Sequence, residues 1–183
     1  MKRISARASI VSTAARLFYR QGYSNTGINQ IIEEAGVAKS TLYQLFRSKE
    51  DLLLVYLDET GKATLEALQN AAATGSTPKE KILAIFDYLT GLVTGPEFHG
   101  CHFLNIVYEM PDGDKRARAH IKKQKDAVRA FFAGLLTPDD QQLLADEIYT
   151  LYEGALMGHK IHNEVWPILS AKNMVGRALA FLD

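Results

Sequence analysis

Residues 26–46 read TGINQIIEEAGVAKSTLYQLF, and this stretch decides the fold. Ile28, Ile31 and Ile32 step by three and four, the spacing of one buried helical face, and Thr26 stands just ahead of them as an expected N-cap. Ala35-Gly36 closes that helix, because glycine takes the left-handed conformation that ends a helix and the small Ala35 lets the next helix cross nearby. A second short helix follows at once, over about Lys39 to Phe46. Two helices joined by so sharp a turn make a helix-turn-helix, whose second helix lies in the major groove of DNA while the first crosses the backbone.

The pattern extends outward in both directions. Upstream, Ile4, Ala8, Val11, Ala15 and Phe18 mark one face of a helix that runs to about Gln21 and stops at Gly22. Downstream, Ser48 can cap a helix that carries Glu50 and Asp51 in its first turn, continues through Leu52, Leu53, Val55, Tyr56 and Leu65, and reaches about Ala73. Ala71 to Pro78 is a linker, with Thr77-Pro78 as the cap and first residue of a helix to Thr94. Gly95-Pro96 and Gly100 break the chain before a helical stretch Cys101 to Glu109, a turn over Met110 to Gly113 and a helix to about Leu136. Thr137-Pro138-Asp139 opens the next helix, and the last two are expected at about Pro138 to Asn163 and Pro167 to Leu182. No alternating strand pattern competes. The expectation is an all-α chain: a three-helix helix-turn-helix DNA-binding domain over residues 1–50, and a helical ligand-binding and dimerisation domain over residues 51–183.

Charge supports that division. The 183-residue chain is neutral overall, but residues 1–49 hold eight Lys or Arg against two acids, Glu33 and Glu34, and the remainder holds 13 against 19. A basic end suits a polyanion, since each cation placed on a phosphate releases a condensed counterion. The acidic remainder discourages unspecific adhesion. The apolar runs, such as Leu52 to Leu57, fall far short of the roughly 20 residues of a membrane span, and Arg16 with its polar neighbours interrupts any signal-peptide core. The expected address is cytoplasmic, with no membrane partner. The one cysteine, Cys101, excludes an internal disulfide and a multi-cysteine zinc site.

On the second helix of the motif, Lys39, Ser40 and Thr41 are three donors on the leading turn, Tyr43 offers a phenol, and Gln44 can read a base edge, adenine being the usual partner of an amide. Lys49, at the start of the next helix, joins its ammonium to free backbone N–H groups as a phosphate site, and Thr26 is a second candidate contact. Leu42, Leu45 and Phe46 are expected to face inward. Taken singly, Lys39 and Tyr43 would pass for residues coating a solvated face; their company on one short helix after the AGV turn argues otherwise.

The segment AARLFYRQGYSNTGINQIIEEAGVAKSTLYQLFRSKEDLL resembles the N-terminal signature of the tetracycline-repressor (TetR) family. The likeness covers about residues 7–53 and includes the A-x-x-LF and GY elements, the AGV turn, the S-T-LY-x-x-F recognition helix and the trailing K-E-x-L. It implies an all-helical homodimeric repressor that binds double-stranded operator DNA and releases it when a small-molecule effector enters the C-terminal domain, with no catalytic cofactor. Gly27 and Leu45 depart from the pattern, standing where relatives often carry a phosphate-binding Thr or Ser and a His.

In the body, Leu144, Ile148, Leu151, Ala155 and Gly158, with Val175, Ala178, Leu179 and Leu182, form stripes expected to meet a second copy, Gly154 and Gly158 permitting close approach; packing within the chain is the alternative. Aromatic and polar residues of the middle helices, namely Tyr88, His102, Phe103, Asn105, Tyr108 and Tyr149, are candidate effector lining. The run Gly100-Cys101-His102-Phe103-Leu104-Asn105 resembles a Gly-Cys stretch found beside the effector cavity in part of the family. Other readings of the same residues are a redox sensor at Cys101, a metal-responsive regulator using His99/His102 or His159/His162, and a ligand-carrying helical dimer without DNA. A cysteine enzyme is disfavoured, because Cys101 and His102 are adjacent and do not face each other on a helix. The basic run Lys115 to Arg129 reads as a solvated helix face, interspersed as it is with acids.

Overall fold

The computed structural model describes residues 5–110, 115–136 and 141–182. The described residues form α1 (Ala6–Gln21), α2 (Ile28–Ala35), α3 (Lys39–Leu45), α4 (Lys49–Ala72), α5 (Pro78–Val93), α6 (His102–Glu109), α7 (Lys115–Gly134), α8 (Gln141–His162) and α9 (Trp166–Ala178), followed by a 3-10 turn at Leu179–Leu182, with no strand among them. The chain is all-α. None of the described helices is long and apolar enough to cross a membrane.

Local chemistry explains most of the boundaries. Ser5 caps α1 by accepting from the Ala8 N–H at 3.2 Å, and Gly22 ends it at φ +92°. Gly36 adopts the left-handed conformation at φ +64°, and the N–H groups of Gly36 and Val37 return to the carbonyls of Glu33 and Ile32. Ser48 caps α4 through the Asp51 N–H at 3.1 Å, while the Asp51 carboxylate accepts from the Arg47 N–H. Thr77 and Glu80 form a capping box at the start of α5, each side chain accepting from the other's backbone N–H.

Four expectations change. Thr26 does not cap α2; Gly27 occupies the N-cap and supplies no side-chain bond. The buried face of α1 is Ile10, Val11, Ala14, Leu17 and Phe18, whereas Ala8 is exposed and Ala15 half-buried. Ala14 is buried and Ala15 is not, so the direction each position faces on the helix, rather than side-chain size, decides which residues enter the interior. Leu45 faces out, since α3 turns about 100° per residue and its inward positions are filled by Leu42 and, just past its end, Phe46. The stripe assigned to a second copy is largely the chain's own core: Ile148, Ala155, Val175 and Leu179 are buried together, with Leu144 and Leu151 packed against them. Gly158 serves that packing, because a Cβ there would lie 2.9 Å from the Pro167 Cβ. Ile4, the Thr137-Pro138-Asp139 start of α8, the Pro111–Gly113 turn and the acids Asp112 and Asp114 lie outside the described residues.

Two compact units are present. The first comprises the described residues up to Gly61 together with those of His102–Lys123; the second comprises Lys62–Cys101 and the described residues from Gln124 onward. In the first unit Phe18 is buried against the edges of Tyr23 and Tyr56, with ring centroids 5.2 and 5.8 Å away, and Ile31, Leu42, Leu53 and Leu57 are wholly enclosed. In the second, Phe86 and Phe132 are buried among Ile82, Ile85, Ile148 and Tyr152. Burying leucine-sized side chains stabilises by about 1.5–3 kcal/mol each, so each unit has a core of its own.

Candidate nucleic-acid interface

α3 is anchored on one side and open on the other. Leu42 is fully buried and Phe46 nearly so, while Lys39, Ser40, Tyr43 and Gln44 are exposed and Thr41 is half-buried. Tyr43 has 45% of its surface open to solvent, and Leu45 44%. Fixing a seven-residue helix by two large apolar side chains leaves the polar ones aimed outward. Arg47 is exposed just beyond the helix, and Arg7 of α1 stands over the Phe46 ring at 5.7 Å. The sequence had singled out neither arginine as a contact.

Thr26 and Lys49 are placed differently from the other candidates. Thr26 is 1% exposed, and its hydroxyl donates to the Gly22 carbonyl at 2.6 Å. It braces the turn between α1 and α2 and does not reach the surface. The Lys49 ammonium turns inward, donating to the carbonyls of Tyr23 at 2.7 Å and Thr26 at 2.8 Å and lying 4.1 Å from the centre of the Tyr23 ring. Burial lowers the Lys49 pKa from its ordinary value, and the negative charge of Glu109 opposes that change. Lys49 is therefore a clamp on the turn, and the outward phosphate anchor expected of its side chain is not what its geometry provides.

The same turn is held from α6. Glu109 accepts from the Ser24 N–H at 2.7 Å, and its carboxylate lies so near Gly22 that a Cβ there would sit 2.7 Å from Oε1. His102, at the other end of α6, stacks on Tyr19 with ring centroids 3.7 Å apart and shares a 2.6 Å hydrogen bond with the Tyr56 hydroxyl. No periodicity or motif announces these pairings; Ser24 and Glu109 are 85 positions apart and Tyr56 and His102 are 46 apart.

This placement divides the effector candidates. His102, Phe103, Asn105 and Tyr108 belong to the first unit, where His102 is engaged by two tyrosines, Phe103 is buried and Tyr108 stands 72% exposed. Tyr88 and Tyr149 belong to the second unit. Tyr88, with Ala67, Asn70, Ala71, Thr74, Ala84 and Asp87, lines an open groove of about 500 Å³ along α4 and α5. Desolvation raises the Tyr88 and Tyr149 pKa values, so both phenols stay neutral donors at ordinary pH.

Also in the second unit, the Lys125 ammonium donates to the Cys101 Sγ at 3.2 Å and to both carboxylate oxygens of Glu153 at 2.7 Å. The Arg129 guanidinium pairs with Asp146, and in the first unit Arg116 pairs with Glu50 and Asp51. These cations of α7 are thus committed to carboxylates of their own units. His159 and His162 do not face one another as a pair of ligands. His159 is buried, its Nδ1 2.8 Å from the Glu164 carbonyl oxygen and its ring beside Phe98, whereas His162 is exposed against Trp166. Among the described residues no group of three or more His, Cys, Asp or Glu side chains is arranged to hold a metal ion.

Comparison with known proteins agrees with this architecture. Residues 10–56 match the family described as bacterial regulatory proteins, tetR family. The chain is 31% identical over 146 residues to the HTH-type transcriptional regulator YezE of Bacillus subtilis, covering 76% of this chain and 73% of that protein. It is 41% identical over 78 residues to B. subtilis YxaF, a match spanning 42% of this chain and 41% of that protein. The crystal structure of SCO4454, a TetR-family transcriptional regulator from Streptomyces coelicolor, superposes with a TM-score of 0.87 at 26% identity, over 96% of this chain and 90% of that one.

Proposed function

The chain belongs to the tetR family of bacterial regulatory proteins, helix-turn-helix transcriptional regulators that bind DNA, and from that premise we propose that it is a repressor that grips a palindromic operator as a homodimer and lets go when a small-molecule effector binds its helical body. The observation that carries this reading is α3 itself: Lys39, Ser40, Tyr43 and Gln44 stand exposed on a helix whose only deeply buried side chain is Leu42. One such helix spans few base pairs. Two of them about 34–36 Å apart read a palindrome one DNA turn apart, which makes a second copy part of the function.

The surface that would bring the copies together lies on α8 and α9. Leu143 and Ile161 of α8 and Trp166, Leu169 and Met174 of α9 are large apolar side chains left open to solvent, and Gly154 of α8 is exposed with no atom within 4 Å of a Cβ placed there. Two helices from each chain make a symmetric four-helix interface, self-complementary as a twofold axis requires. The effector reading rests on the family, whose members typically bind effectors in the helical body; the groove beside Tyr88 is open to solvent and does not enclose a ligand as such sites do. An effector that binds the free dimer better than the DNA-bound dimer must weaken DNA binding by the same factor.

The test is a gel shift of the purified chain against DNA flanking its own gene, at rising salt. Retardation that weakens steeply with salt is expected. Absence of any retarded complex at low salt would overturn the reading. The family is one of regulators rather than enzymes.

A second reading, a thiol-responsive regulator, is favoured by the lysine ammonium at 3.2 Å from the Cys101 sulfur, a cationic neighbour of the kind found at reactive thiols. Peroxide treatment should then release DNA from the natural chain and not from Cys101→Ser. Equal response of the two proteins removes this reading.

A further inference from the structure

Leu45 is the last residue of α3, and 44% of its surface meets solvent. A lone exposed leucine elsewhere would carry no message. Here it sits on the helix placed in the major groove, among side chains suited to hydrogen bonding, and on a DNA-facing helix a hydrocarbon has few useful partners. Against a phosphate it would strip water from an anion while offering no donor in return. The major groove exposes an apolar group on one base alone, the C5-methyl of thymine.

The spacing on α3 sharpens the assignment. Residues four apart lie on one strip of a helix, so Lys39 and Tyr43 share a strip, Ser40 and Gln44 share the next, and Thr41 and Leu45 share a third. The first two strips are polar or phenolic. The third carries the Thr41 methyl and the Leu45 isobutyl group, one turn apart. We propose that Leu45 packs on the C5-methyl of a thymine in each operator half-site and is the residue that selects thymine over cytosine at that base pair. Cytosine in the same place offers an N4 amino donor and no methyl, and Leu45 can neither accept that hydrogen bond nor replace the lost contact. This rests on the reading that α3 enters the major groove.

The experiment uses the full chain. An operator is first selected from random duplex DNA by repeated rounds of binding, and each thymine of one half-site is then replaced in turn by deoxyuridine, which removes the methyl and keeps the base pairing. Kd values are measured for the natural protein, Leu45→Ala, Leu45→Met and Tyr43→Ala, with helix content checked by circular dichroism. One thymine per half-site is expected at which deoxyuridine weakens the natural protein about fourfold, the effect of one methyl withdrawn from an apolar contact. Leu45→Ala should bind thymine and deoxyuridine equally there, and Leu45→Met should keep the preference. Absence of deoxyuridine sensitivity at every thymine overturns the proposal, as does the same sensitivity in Leu45→Ala. Loss of the preference in Tyr43→Ala with retention in Leu45→Ala assigns the methyl to Tyr43 and overturns it too. The underlying placement of α3 fails by a different sign: Tyr43→Ala and Lys39→Ala would both bind the selected operator as tightly as the natural protein.

Discussion

The backbone N–H of Ser24 donates to the Glu109 carboxylate at 2.7 Å, joining the turn between α1 and α2 to the C-terminal end of α6 across 85 residues of chain. Lys49 grips the same turn through its carbonyls, so one short loop has its donor held by a carboxylate and its acceptors held by an ammonium. The loop therefore has few conformations open to it, and it fixes where α2 begins.

Glu109→Ala is expected to cost about 1 kcal/mol of stability, less than the roughly 1.5–3 kcal/mol of a charge-assisted hydrogen bond shielded from water, because this one is reached by solvent. Hydrogen exchange at the Ser24 amide should accelerate. Gly22→Ala should be worse in the natural background than in Glu109→Ala, because its Cβ meets the carboxylate in addition to the strain of a residue at φ +92°. Urea unfolding of the four proteins of that cycle measures the coupling, and strict additivity would show that the carboxylate does not crowd Gly22.

Lys49→Met and Tyr43→Ala should both weaken DNA binding, for opposite reasons. Lys49→Met removes two hydrogen bonds to carbonyls and is expected to destabilise the first unit by about 2 kcal/mol, carrying DNA affinity down with it. Tyr43→Ala removes a side chain that is 45% exposed and should leave stability within about 0.5 kcal/mol. Parallel thermal melts and gel shifts separate the two; a Lys49→Met protein that melts normally yet fails to bind would return Lys49 to the role of a direct contact.

Gly27→Ser should help. Gly27 is the N-cap of α2 at φ −82° and ψ 145°, and no atom lies within 4 Å of a Cβ there. A serine hydroxyl can take the N-cap bond that the natural chain lacks, worth a few tenths of a kcal/mol (~0.3) over glycine. It also places a donor at a helix N-terminus suited to a phosphate. A rise in melting temperature together with tighter operator binding is the expected result, and a fall in both would mean that the position needs its glycine.

Leu169→Glu, on the open face of α9, tests the pairing of two copies. Leu169 has 52% of its surface exposed, so a charge there costs little in a single chain and much at the centre of an apolar interface. Sedimentation should show the natural chain as a dimer and the variant as a folded monomer with much weakened operator binding. A variant that stays dimeric moves the interface elsewhere.

Asp146 gives a pH signature. Hydrogen bonds from Arg129, and to a smaller degree from Gln142, hold its carboxyl below the ordinary 3.8. Its folded value is depressed, so whatever stability the pair contributes is present above the ordinary value and disappears as pH falls through the lowered one. Salt should screen most of it, because the pair is exposed. An NMR titration of the Asp146 carboxyl should move upward in Arg129→Gln, because burial, which opposes the shift, then outweighs the hydrogen bond from Gln142. An unchanged midpoint would show that the guanidinium does not hold the carboxylate in solution.

The helix order, the left-handed Gly36, the caps at Ser48 and Thr77 and the outward strip of Lys39, Ser40, Tyr43 and Gln44 were all legible in the sequence. Each is a local event, settled by one residue's backbone preference or by spacing within a few turns. Leu45 misled because a hydrophobic residue next to Phe46 reads as core, and only the direction of α3 shows that its inward positions are already filled. Thr26 and Lys49 misled for a related reason: residue type indicates a donor, while direction decides whether it meets solvent or a carbonyl of its own chain.

By itself, then, the sequence determined an all-α chain with a helix-turn-helix at its N-terminal end and a polar recognition helix. The tertiary structure decided which side of each helix is inside, moved the apolar stripe of α8 and α9 from an interface into the core, and joined α6 to the turn it braces. Periodicity is a short-range property that survives in one dimension. Which of two amphipathic faces finds a partner, and which carboxylate finds a backbone N–H 85 residues away, depends on the packing of the whole unit, because burial energy is shared among all the side chains that meet.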